Sequence, residues 1–507
     1  MYDVIIIGAG IGGLICAAKL ATRGRKVLVL EKIHHIGGTS HIFKRGDYYF
    51  PMGPLAFSFP DLILEILRDI GIKNQIKFTR SHFQLISDDF DIIYSQDWNK
   101  FKQELINQFP EERKGLHKFF DELTDLIKKT SQIHKWHPDF LIGKKRAIAK
   151  THLIQDYQEI YDQIEEYSRI PSKKLLDKYI TDKDLKKLLG TQGTYDPIMN
   201  MVHLAFMWNV MSFQGIWFPS CGIHGISDLL KEKIVREGGE IKLNTPVEQI
   251  LIEDKKAVGV QTSDGTVIYA DWIVANADYK KVFLDLIDPS DLSNSHLELV
   301  KNTEYTGSEL CVYLGIEPEK VDLSKLRAEH VFYRAKTEKN DNLNFEDFAN
   351  REIEICLWSD KSAMFAPKEM KSLVLRVNMP YSHFKKWRTG EKKRDQGYRP
   401  YKKKLAERLI DTVEMILPGL SSSIVKMEIA TPLTYQDWGQ RSQGSIAGWT
   451  RDLKKIQFKN KMLVETPIDH LVMVGIYAVL EPFLGGFPVS MYTGDLAADL
   501  ILDIEKK

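Results

Sequence analysis

The stretch DVIIIGAGIGGLICAAKLATRGRKVLVLE, residues 3–31, has the pattern of a strand, a turn, a helix and a second strand. Residues 4–7 form a short apolar run, which is typical of a parallel strand buried on both faces. Gly8, Gly10 and Gly13 follow in the spacing G-x-G-x-x-G. In this spacing the first glycine permits a tight turn, the second lets the backbone approach a pyrophosphate, and the third lets the helix pack closely on the strand. The stretch therefore predicts a unit that binds a dinucleotide.

The residues around this turn support the same interpretation. Free N–H groups and the positive dipole end at a helix start bind phosphates. Glu31 ends the second strand, where a carboxylate can accept hydrogen bonds from ribose hydroxyls. A signal segment or membrane anchor is the alternative, but Met1-Tyr2-Asp3 gives no basic start, and a spanning helix would not carry so many glycines. We predict an α/β chain with a Rossmann-like domain built on a parallel sheet.

Two further motifs follow the second strand. Gly37-Gly38-Thr39 comes shortly after the acid, and YYFPMGP occupies residues 48–54. These motifs resemble those of the flavoprotein family of phytoene desaturases, carotenoid isomerases and retinol saturases. In that family a Gly-Gly pair lines FAD, and a Phe-x-x-Gly-Pro stretch lies beneath the flavin. Pro51 stands where the family usually has Asp, and Thr-Ser-His after the glycine pair is similar to the saturase and isomerase branch.

The resemblance extends to the end of the chain. Segments that match family stretches lie at 216–228, 246–250, 270–278 and 431–449. Residues 471–501 resemble the C-terminal flavin motif of the family, whose helix start points backbone N–H groups at the N1–C2=O edge of the flavin. Such donors would stabilise the negative charge of the reduced flavin. Ile476 follows Gly475, where many relatives have Asp or Ala.

The resemblance implies that FAD is the cofactor and assigns contacts with it to residues of all these motifs. They are Gly8, Gly10, Ile11, Gly12, Gly13, Glu31, Lys32, Gly37, Gly38, Thr39, Gly53, Pro54, Val247, Asn276, Gly475, Gly485, Gly486, Phe487 and Pro488. Two ionisable residues lie in motifs close to the flavin, Glu481 and His41, and either is a candidate for moving a proton. The alternative for each is a hydrogen-bonded loop residue.

Composition limits the class of protein. The chain has 507 residues, of which 43% are hydrophobic, so it can bury large cores in two or more domains. Its formal net charge of +1 gives no support for a nucleic-acid partner. The four cysteines, Cys16, Cys221, Cys311 and Cys356, are far apart, which argues against a structural zinc site, a redox disulfide and secretion. We expect a cytoplasmic protein without a metal.

We expect two interleaved domains. Residues 1–75, 216–285 and 432–507 would form the FAD-binding domain, and residues 76–215 and 286–431 an α+β substrate domain with a mixed sheet and a helical cap. Apolar spacing and strand composition predict helices at 98–109, 111–128 and 401–417 and strands at 309–315, 353–358 and 373–377.

The segment MVHLAFMWNVMSF, residues 201–213, is rich in methionine and aromatic residues. Flexible thioethers and flat rings suit a pocket for a long polyene, and plain core packing is the alternative. The candidate pocket residues are Met201, Phe206, Met207, Trp208, Met211 and Phe213.

Two basic segments, 128–146 and 383–404, contain interspersed aromatic residues. Positive side chains beside aromatic rings can hold a protein on an anionic bilayer, and a solvated surface is the alternative. Because an enzyme with a water-insoluble substrate must meet it at a membrane, we hypothesise peripheral attachment to the inner face of a membrane.

These observations together lead to a predicted function. The chain would be an FAD-dependent oxidoreductase, similar to phytoene desaturases and retinol saturases, that introduces or removes C–C double bonds in an apolar isoprenoid by hydride transfer at flavin N5. A polyene delocalises charge at its reacting carbons, so positioning and exclusion of water can suffice without a catalytic dyad. The alternatives are a cis–trans isomerase that uses reduced FAD, an amine oxidase, and a prenyl-lipid carrier of the Rab GDP-dissociation-inhibitor type without flavin chemistry.

Overall fold

The computed structural model describes residues 1–53, 55–73, 76–94, 97–133, 140–191, 197, 199–336, 344–450, 455–480 and 485–504. The strands are β1 Tyr2–Ile7, β2 Val27–Leu30, β3 Ile42–Arg45, β4 Tyr48–Pro51, β5 Phe78–Arg80, β6 Phe83–Ile86, β7 Asp91–Ile93, β8 Trp217–Pro219, β9 Glu240–Lys242, β10 Val247–Glu253, β11 Lys256–Thr262, β12 Val267–Ala275, β13 Glu309–Ile316, β14 His330–Tyr333, β15 Ile353–Cys356, β16 Lys371–Asn378, β17 Arg388–Gly390, β18 Lys393–Arg394, β19 Ile424–Ala430 and β20 Leu471–Met473.

The helices are α1 Ile11–Thr22, α2 Pro60–Asp69, α3 Trp98–Gln108, α4 Arg113–Ile133, α5 Gly143–Asp156, α6 Gln158–Ser168, α7 Ser172–Tyr179, α8 Lys183–Thr191, α9 Met201–Trp208, α10 Gly222–Arg236, α11 Tyr279–Lys281, α12 Asn294–Asn302, α13 Tyr381–Lys385, α14 Tyr398–Glu414, α15 Leu420–Ser423, α16 Pro432–Asp437 and α17 Gly486–Ile504. Within the described residues, each helix is too short or too polar to span a bilayer.

The first sheet contains the strands on both sides of the glycine turn. Its order is β10-β11-β12-β1-β2-β9, and β20 also pairs with β12. Strands β12, β1, β2, β9 and β20 run parallel, whereas β11 pairs antiparallel with both β10 and β12. β1 is buried from Val4 to Ile7, and α1, α10 and α17 share one apolar core with it. The predicted Rossmann-like α/β fold is confirmed.

The second sheet is mixed and has the order β19-β13-β16-β15-β14-β6-β7. Only β14 and β6 pair in parallel among its described strands. One face packs on α14 through an aliphatic core. The other face packs on the hairpin of β3 and β4, which connects the Gly37-Gly38 motif to Gly53. The second sheet therefore contacts the chain segment that lies between the Gly37-Gly38 motif and Gly53.

Helices α3, α4 and α6 to α9 form a cap that shares a core with β6 and β7. Leucine, isoleucine and aromatic side chains make up this core, and Phe101, Phe119 and Trp208 are fully buried in it. The helices predicted at 98–109, 111–128 and 401–417 are α3, α4 and α14, and the three predicted strands are β13, β15 and β16. Strands of the first sheet come from residues 2–30, 240–275 and 471–473, and those of the second from 83–93, 309–378 and 424–430. The domain boundaries themselves stay a prediction.

Candidate functional site

The glycine turn between β1 and α1 leaves no room for side chains. Gly8 has φ +95°, and a Cβ there would lie 2.5 Å from the carbonyl oxygen of Asn276. A Cβ on Gly13 would lie 2.4 Å from the carbonyl oxygen of Gly8, and one on Gly10 would lie 2.6 Å from Nδ2 of Asn276. The Asn276 amide donates to the carbonyl oxygen of Gly8 at 3.2 Å. These close approaches explain why glycine is required at each position.

The start of α1 is open to an anion. Its N-cap residue is Gly10, which has no side chain to cap the helix, and its first turn contains no acid. The N–H groups of the first helical turn have no partner within the helix, and they add to the positive end of the helix dipole. Ile11, Gly12 and Gly13 supply these groups, so the turn can bind a phosphate through the backbone alone.

Glu31 lies at the end of β2 beside the same turn. Its Oε2 accepts a hydrogen bond from the N–H of Ala9 at 2.7 Å, and its Oε1 accepts one from the N–H of Ile33 at 3.0 Å. The residue is buried, and no cation of the described residues forms an ion pair with it. A buried carboxylate held only by backbone N–H groups can still accept hydrogen bonds from ribose hydroxyls.

The Gly37-Gly38-Thr39 segment lies directly against the turn. Gly37 pairs with Gly10 in a short parallel bridge, and its N–H donates to the carbonyl oxygen of Ala9 at 2.7 Å. Gly37 and Gly38 have φ +89° and +58°, which suit glycine. A Cβ on Gly53 would lie 2.9 Å from the carbonyl oxygen of Thr39. The structure therefore brings these two predicted motifs together with the glycine turn.

The C-terminal motif completes the site from the other side. Gly475 has φ +87°, and a Cβ there would lie 2.5 Å from Oδ1 of Asn276. Its N–H donates to Oγ1 of Thr493 in α17 at 2.9 Å. Gly486 begins α17, and the ring of Phe487 stacks on Phe57 with centroids 4.8 Å apart. The start of α17 is thus anchored close to the glycine turn.

The other predicted contact residues are distributed around this centre. Lys32 is exposed beside Glu31, and Val247 begins β10 opposite Thr262. Pro488 is buried in the first turn of α17, and Gly485 precedes that helix with φ +83°. Pro54 and Glu481, one of the two proton-transfer candidates, lie outside the described residues.

His41 belongs to a cluster of histidines between Glu31 and the β3–β4 hairpin. Its ring stacks on that of His35 with centroids 4.0 Å apart, and His34 contacts His35 edge to face. Burial, together with the nearby rings of His35, His224 and His34, lowers the pKa of His41 to about 4. His41 is therefore neutral at pH 7. Its imidazole can accept a proton on one ring nitrogen and can donate a hydrogen bond only from the N–H of the other.

A charged network crosses the face of the second sheet that packs on the β3–β4 hairpin. Arg376 donates to Glu309 at 2.9 Å and to Glu354 at 3.0 Å. His330 contacts Glu354, and the hydroxyl of Tyr435 donates to Glu309. Burial would raise the pKa of the Glu354 carboxyl, but the charges of Arg376 and His330 lower it to about 2. The charges of these residues are paired within the network, because an unpaired charge in a largely buried site would be strongly unfavourable.

Sequence reasoning missed this network, although a signal was present. Charged residues interrupt otherwise apolar strands at Glu309, Glu354 and Arg376. His330, Glu354 and Cys356 also offer ligand atoms within 4.8 Å of one another. Arg376 donates to the same carboxylate, and burial raises the pKa of the Cys356 thiol, so both features disfavour a cation there.

The proposed polyene pocket at residues 201–213 has a mixed environment. Met201 and Trp208 are buried in the cap core, Met207 and Met211 pack against it, and Phe206 packs against the core of the first sheet. Phe213 is 40% exposed and lines a surface cavity of about 590 Å³ with Trp98 and three aspartates of the cap. Two of the six side chains are thus core residues, and the pocket stays a prediction.

The basic segments are partly engaged within the protein. In 383–404, Phe384 and Tyr398 are buried, while Arg388 and Arg394 form ion pairs with Asp437. In 128–146, Lys145 pairs with Asp499 and Arg146 with Glu465, and residues 134–139 lie outside the described part. The buried rings cannot reach a bilayer.

These features fit a dinucleotide that carries a flavin. Bare glycine backbone, an uncapped helix start and a buried acid can bind its phosphates and ribose. The segments at Thr39 and Gly486 can bind its flavin end. The family model of flavin-containing amine oxidoreductases matches residues 11–398. The chain belongs to this family, its cofactor is FAD, and it is an oxidoreductase.

Three curated relatives match nearly the whole chain. The chloroplastic prolycopene isomerase of Daucus carota is 26% identical over 99% of this chain and 81% of its own. The 4,4'-diapophytoene desaturase (4,4'-diaponeurosporene-forming) of Staphylococcus haemolyticus is 24% identical over 99% of both chains. The all-trans-retinol 13,14-reductase of Danio rerio is 24% identical over 99% of this chain and 87% of its own. Cyclohexylamine oxidase from Brevibacterium oxydans shares the fold, with a TM-score of 0.59, 15% identity and full coverage of both chains.

Proposed function

We propose that this protein transfers a hydride between FAD and a carbon–carbon bond of an apolar polyene, and so introduces or removes a double bond. The observation that carries the proposal is the match to carotenoid and retinoid enzymes along the entire chain, with the cap and the second sheet included. The rings of Tyr313, Phe43 and Phe50 pack together where the second sheet meets the β3–β4 hairpin, and the same face carries the ion-paired Arg376, Glu309 and Glu354. Flat rings can border a planar polyene, and the charges of that face are paired with one another.

In this proposal FAD would supply the hydride chemistry. The protein would bind and orient the cofactor and the substrate and exclude water from the site. The first-turn N–H groups of α1 would hold the pyrophosphate, and Glu31 would hold the ribose. The start of α17 at Gly486 would direct N–H groups at the pyrimidine edge of the flavin. The domain that binds FAD would consist of residues 1–75, 216–285 and 432–507, and the two remaining pieces would hold the substrate.

The proton that accompanies hydride transfer needs an acceptor or donor. His41 is neutral at pH 7, because burial and its histidine neighbours lower its pKa to about 4. The neutral imidazole has a nitrogen that can accept a proton from a carbon next to the one that loses the hydride, but the lowered pKa makes it a weak base, so its position would have to supply most of the effect. His41→Ala with unchanged turnover would remove His41 from this role and leave Glu481 to be tested in the same way.

Cis–trans isomerisation is the second candidate function. It is favoured by the 26% identity to prolycopene isomerase over 99% of the chain. Such an enzyme would use reduced FAD and show no net oxidation, so it is distinguished by the mass of its product, which equals that of the substrate.

The test is an anaerobic titration of the FAD-loaded protein with prolycopene, all-trans-retinol and a diapophytoene, each dispersed in detergent. Loss of the visible absorption of oxidised flavin with the diapophytoene, or its return when dithionite-reduced protein is mixed with all-trans-retinol, and neither change with putrescine or cyclohexylamine, supports the proposal. Bleaching by an amine and by no polyene contradicts it and favours an amine oxidase. A protein that binds no FAD under any condition would favour the carrier.

We also propose that the protein meets its substrate at an anionic membrane surface. Lys385, Lys393, Lys403 and Lys404 are exposed in segment 383–404, and each cation near the surface contributes about 1 kcal/mol to attraction. Because Phe384 and Tyr398 are buried, the attachment would be electrostatic. Flotation with vesicles that contain phosphatidylserine tests it, and a protein that stays at the bottom of the gradient at low salt contradicts it.

A further inference from the structure

Arg441 joins three segments at one end of the cofactor site. One of its Nη atoms donates to Oγ1 of Thr39 at 2.6 Å, across 402 positions of the chain. The other donates to the carbonyl oxygens of Ser445 and Ile446. Ser445 in turn shares a hydrogen bond with the hydroxyl of Tyr477 at 2.7 Å, and Tyr477 lies two residues after Gly475. The guanidinium is therefore fixed by neutral oxygen atoms of flavin-side segments.

Among the described residues, no carboxylate lies within ion-pair distance of the Arg441 guanidinium. None of the ion pairs found within 4.0 Å in that part of the chain involves it. Asp278 is the acid that contacts this segment, and its carboxylate accepts from the hydroxyl of Tyr305 at 2.6 Å and from the N–H of Ser442 at 2.9 Å. Arg441 is half-buried and has no ion-pair partner within the described part of the chain, so water screens its positive charge only in part. Its electrostatic effect on a neighbouring group is therefore larger than that of an exposed arginine.

The position of Arg441 along the cofactor site follows from the other contacts. Glu31 marks the ribose end, and the N–H groups of α1 mark the phosphates. Thr39 comes directly after Gly37-Gly38, on the side of the glycine turn that leads away from Glu31 to Gly53. A dinucleotide that starts at Glu31 and crosses the turn must place its second half at Thr39. Arg441 is thus at the flavin half.

We infer that Arg441 sets the reduction potential of the flavin by stabilising its reduced, anionic form. Reduction of bound FAD by a hydride equivalent, which is two electrons and one proton, would leave one negative charge on its pyrimidine ring. A cation fixed at the flavin half of the site, as Arg441 is by Thr39 and Ser445, would favour that reduced state electrostatically. The inference rests on FAD as the cofactor and is independent of which substrate donates or accepts the hydride.

The test measures the midpoint potential of the FAD-loaded protein by anaerobic reduction with dithionite in the presence of a reference dye. Arg441→Gln removes the charge and keeps a side chain that can donate one hydrogen bond. We expect the equilibrium to shift at least tenfold toward oxidised FAD, which for a two-electron couple is about 30 mV more negative. Arg441→Lys keeps the charge, and its potential should stay close to that of the unmodified protein.

Lys44 provides a matched control. It is exposed in the hairpin that follows Thr39, so solvent screens its charge, and Lys44→Gln should leave the potential unchanged. An Arg441→Gln potential equal to that of Lys44→Gln would overturn the inference. So would equal shifts in Arg441→Gln and Arg441→Lys, because the cause would then be lost packing. Circular dichroism and FAD affinity of each variant verify that folded, loaded protein is compared. Failure of every polyene in the substrate titration would leave this result intact, since no substrate is used.

Discussion

Among the glycines of the turn between β1 and α1, Gly13 is the one at which an added side chain would meet its neighbours most closely. A Cβ at this position would lie 2.4 Å from the carbonyl oxygen of Gly8, 3.0 Å from Cγ2 of Ile6 and 3.1 Å from Cβ of Asn276. The nearest contact is with the carbonyl group of Gly8, which directly follows β1. Because β1 lies in the middle of a parallel sheet, this carbonyl group cannot rotate away. In Gly13→Ala the helix α1 must therefore move outward from the turn.

The expected magnitude follows from two opposing effects. Alanine is a better helix former than glycine by about 1 kcal/mol. Overpacking of a tight core costs about 1–3 kcal/mol, and a backbone contact at this distance belongs at the upper end. The net loss in the free energy of unfolding should be about 2 kcal/mol. Because the displaced helix start also carries the phosphate-binding N–H groups, the Kd for FAD should rise at least tenfold, which corresponds to about 1.4 kcal/mol.

The assay combines urea unfolding of the apoprotein with equilibrium binding of FAD. Gly307→Ala is the control, because a Cβ at Gly307 has no atom within 4 Å and its φ is not positive. It should leave both quantities within error of the unmodified protein. Gly13→Ala with the same unfolding midpoint and the same Kd as the control would refute the close packing of the turn and its role in binding.

Three other substitutions have defined outcomes. Glu31→Gln replaces one carboxylate oxygen by an amide donor beside the N–H of Ala9 or Ile33. Because hydrogen bonds to a charged group contribute about 1.5–3 kcal/mol, the substitution should weaken FAD binding by ten- to a hundredfold in equilibrium dialysis. Lys19→Met removes a buried cation that three aspartates of α2 and α17 hold at 2.7–3.1 Å, and chemical denaturation should show a loss of about 3 kcal/mol. Glu354 has a folded pKa of about 2, below its usual value of about 4.3, so its contribution of about 3 kcal/mol is present above pH 4.3 and is lost as the pH falls toward 2. Glu354→Gln should abolish this part of the pH dependence when unfolding is measured from pH 3 to pH 7, and a slope equal to that of the unmodified protein would contradict the assignment.

The first sheet could be predicted because its signals are local. The apolar run of β1, the three glycines and the acid at the end of β2 lie within 29 successive residues, and each has a direct geometric reason. Two helices of the cap, α3 and α4, were also predictable, since they follow apolar spacing closely. Their bounds differ slightly from the prediction, because α3 ends at Gln108 and α4 begins at Arg113 and ends at Ile133.

The second sheet and its charged network depend on contacts between distant residues. The parallel pairing of β14 with β6 joins residues 247 positions apart, such as His330 and Phe83, and no local pattern specifies that register. Arg376 could be recognised as a charge within an apolar strand, but its partners Glu309 and Glu354 come from two different strands. The contact between Arg441 and Thr39 was unpredictable for the same reason.

The basic segment 383–404 shows a further limit of sequence patterns. Its aromatic residues suggested a surface that faces a bilayer, whereas Phe384 of α13 and Tyr398 of α14 are buried in the core between α14 and the second sheet. The same alternation of charge and aromatic rings arises when a helix packs one face on a sheet and exposes the other. Burial cannot be inferred from composition alone in such a segment.

The central claim is that this protein uses FAD to act on the carbon–carbon bonds of a polyene. The most direct measurement is product analysis after incubation of the FAD-loaded protein with polyenes in liposomes, once with oxidised flavin and a quinone acceptor and once with reduced flavin. We predict a polyene product that differs from its substrate by two hydrogens, or by configuration alone if the enzyme is an isomerase. Complete recovery of every polyene in both redox states, together with oxidation of an amine by the same preparation, would contradict the claim.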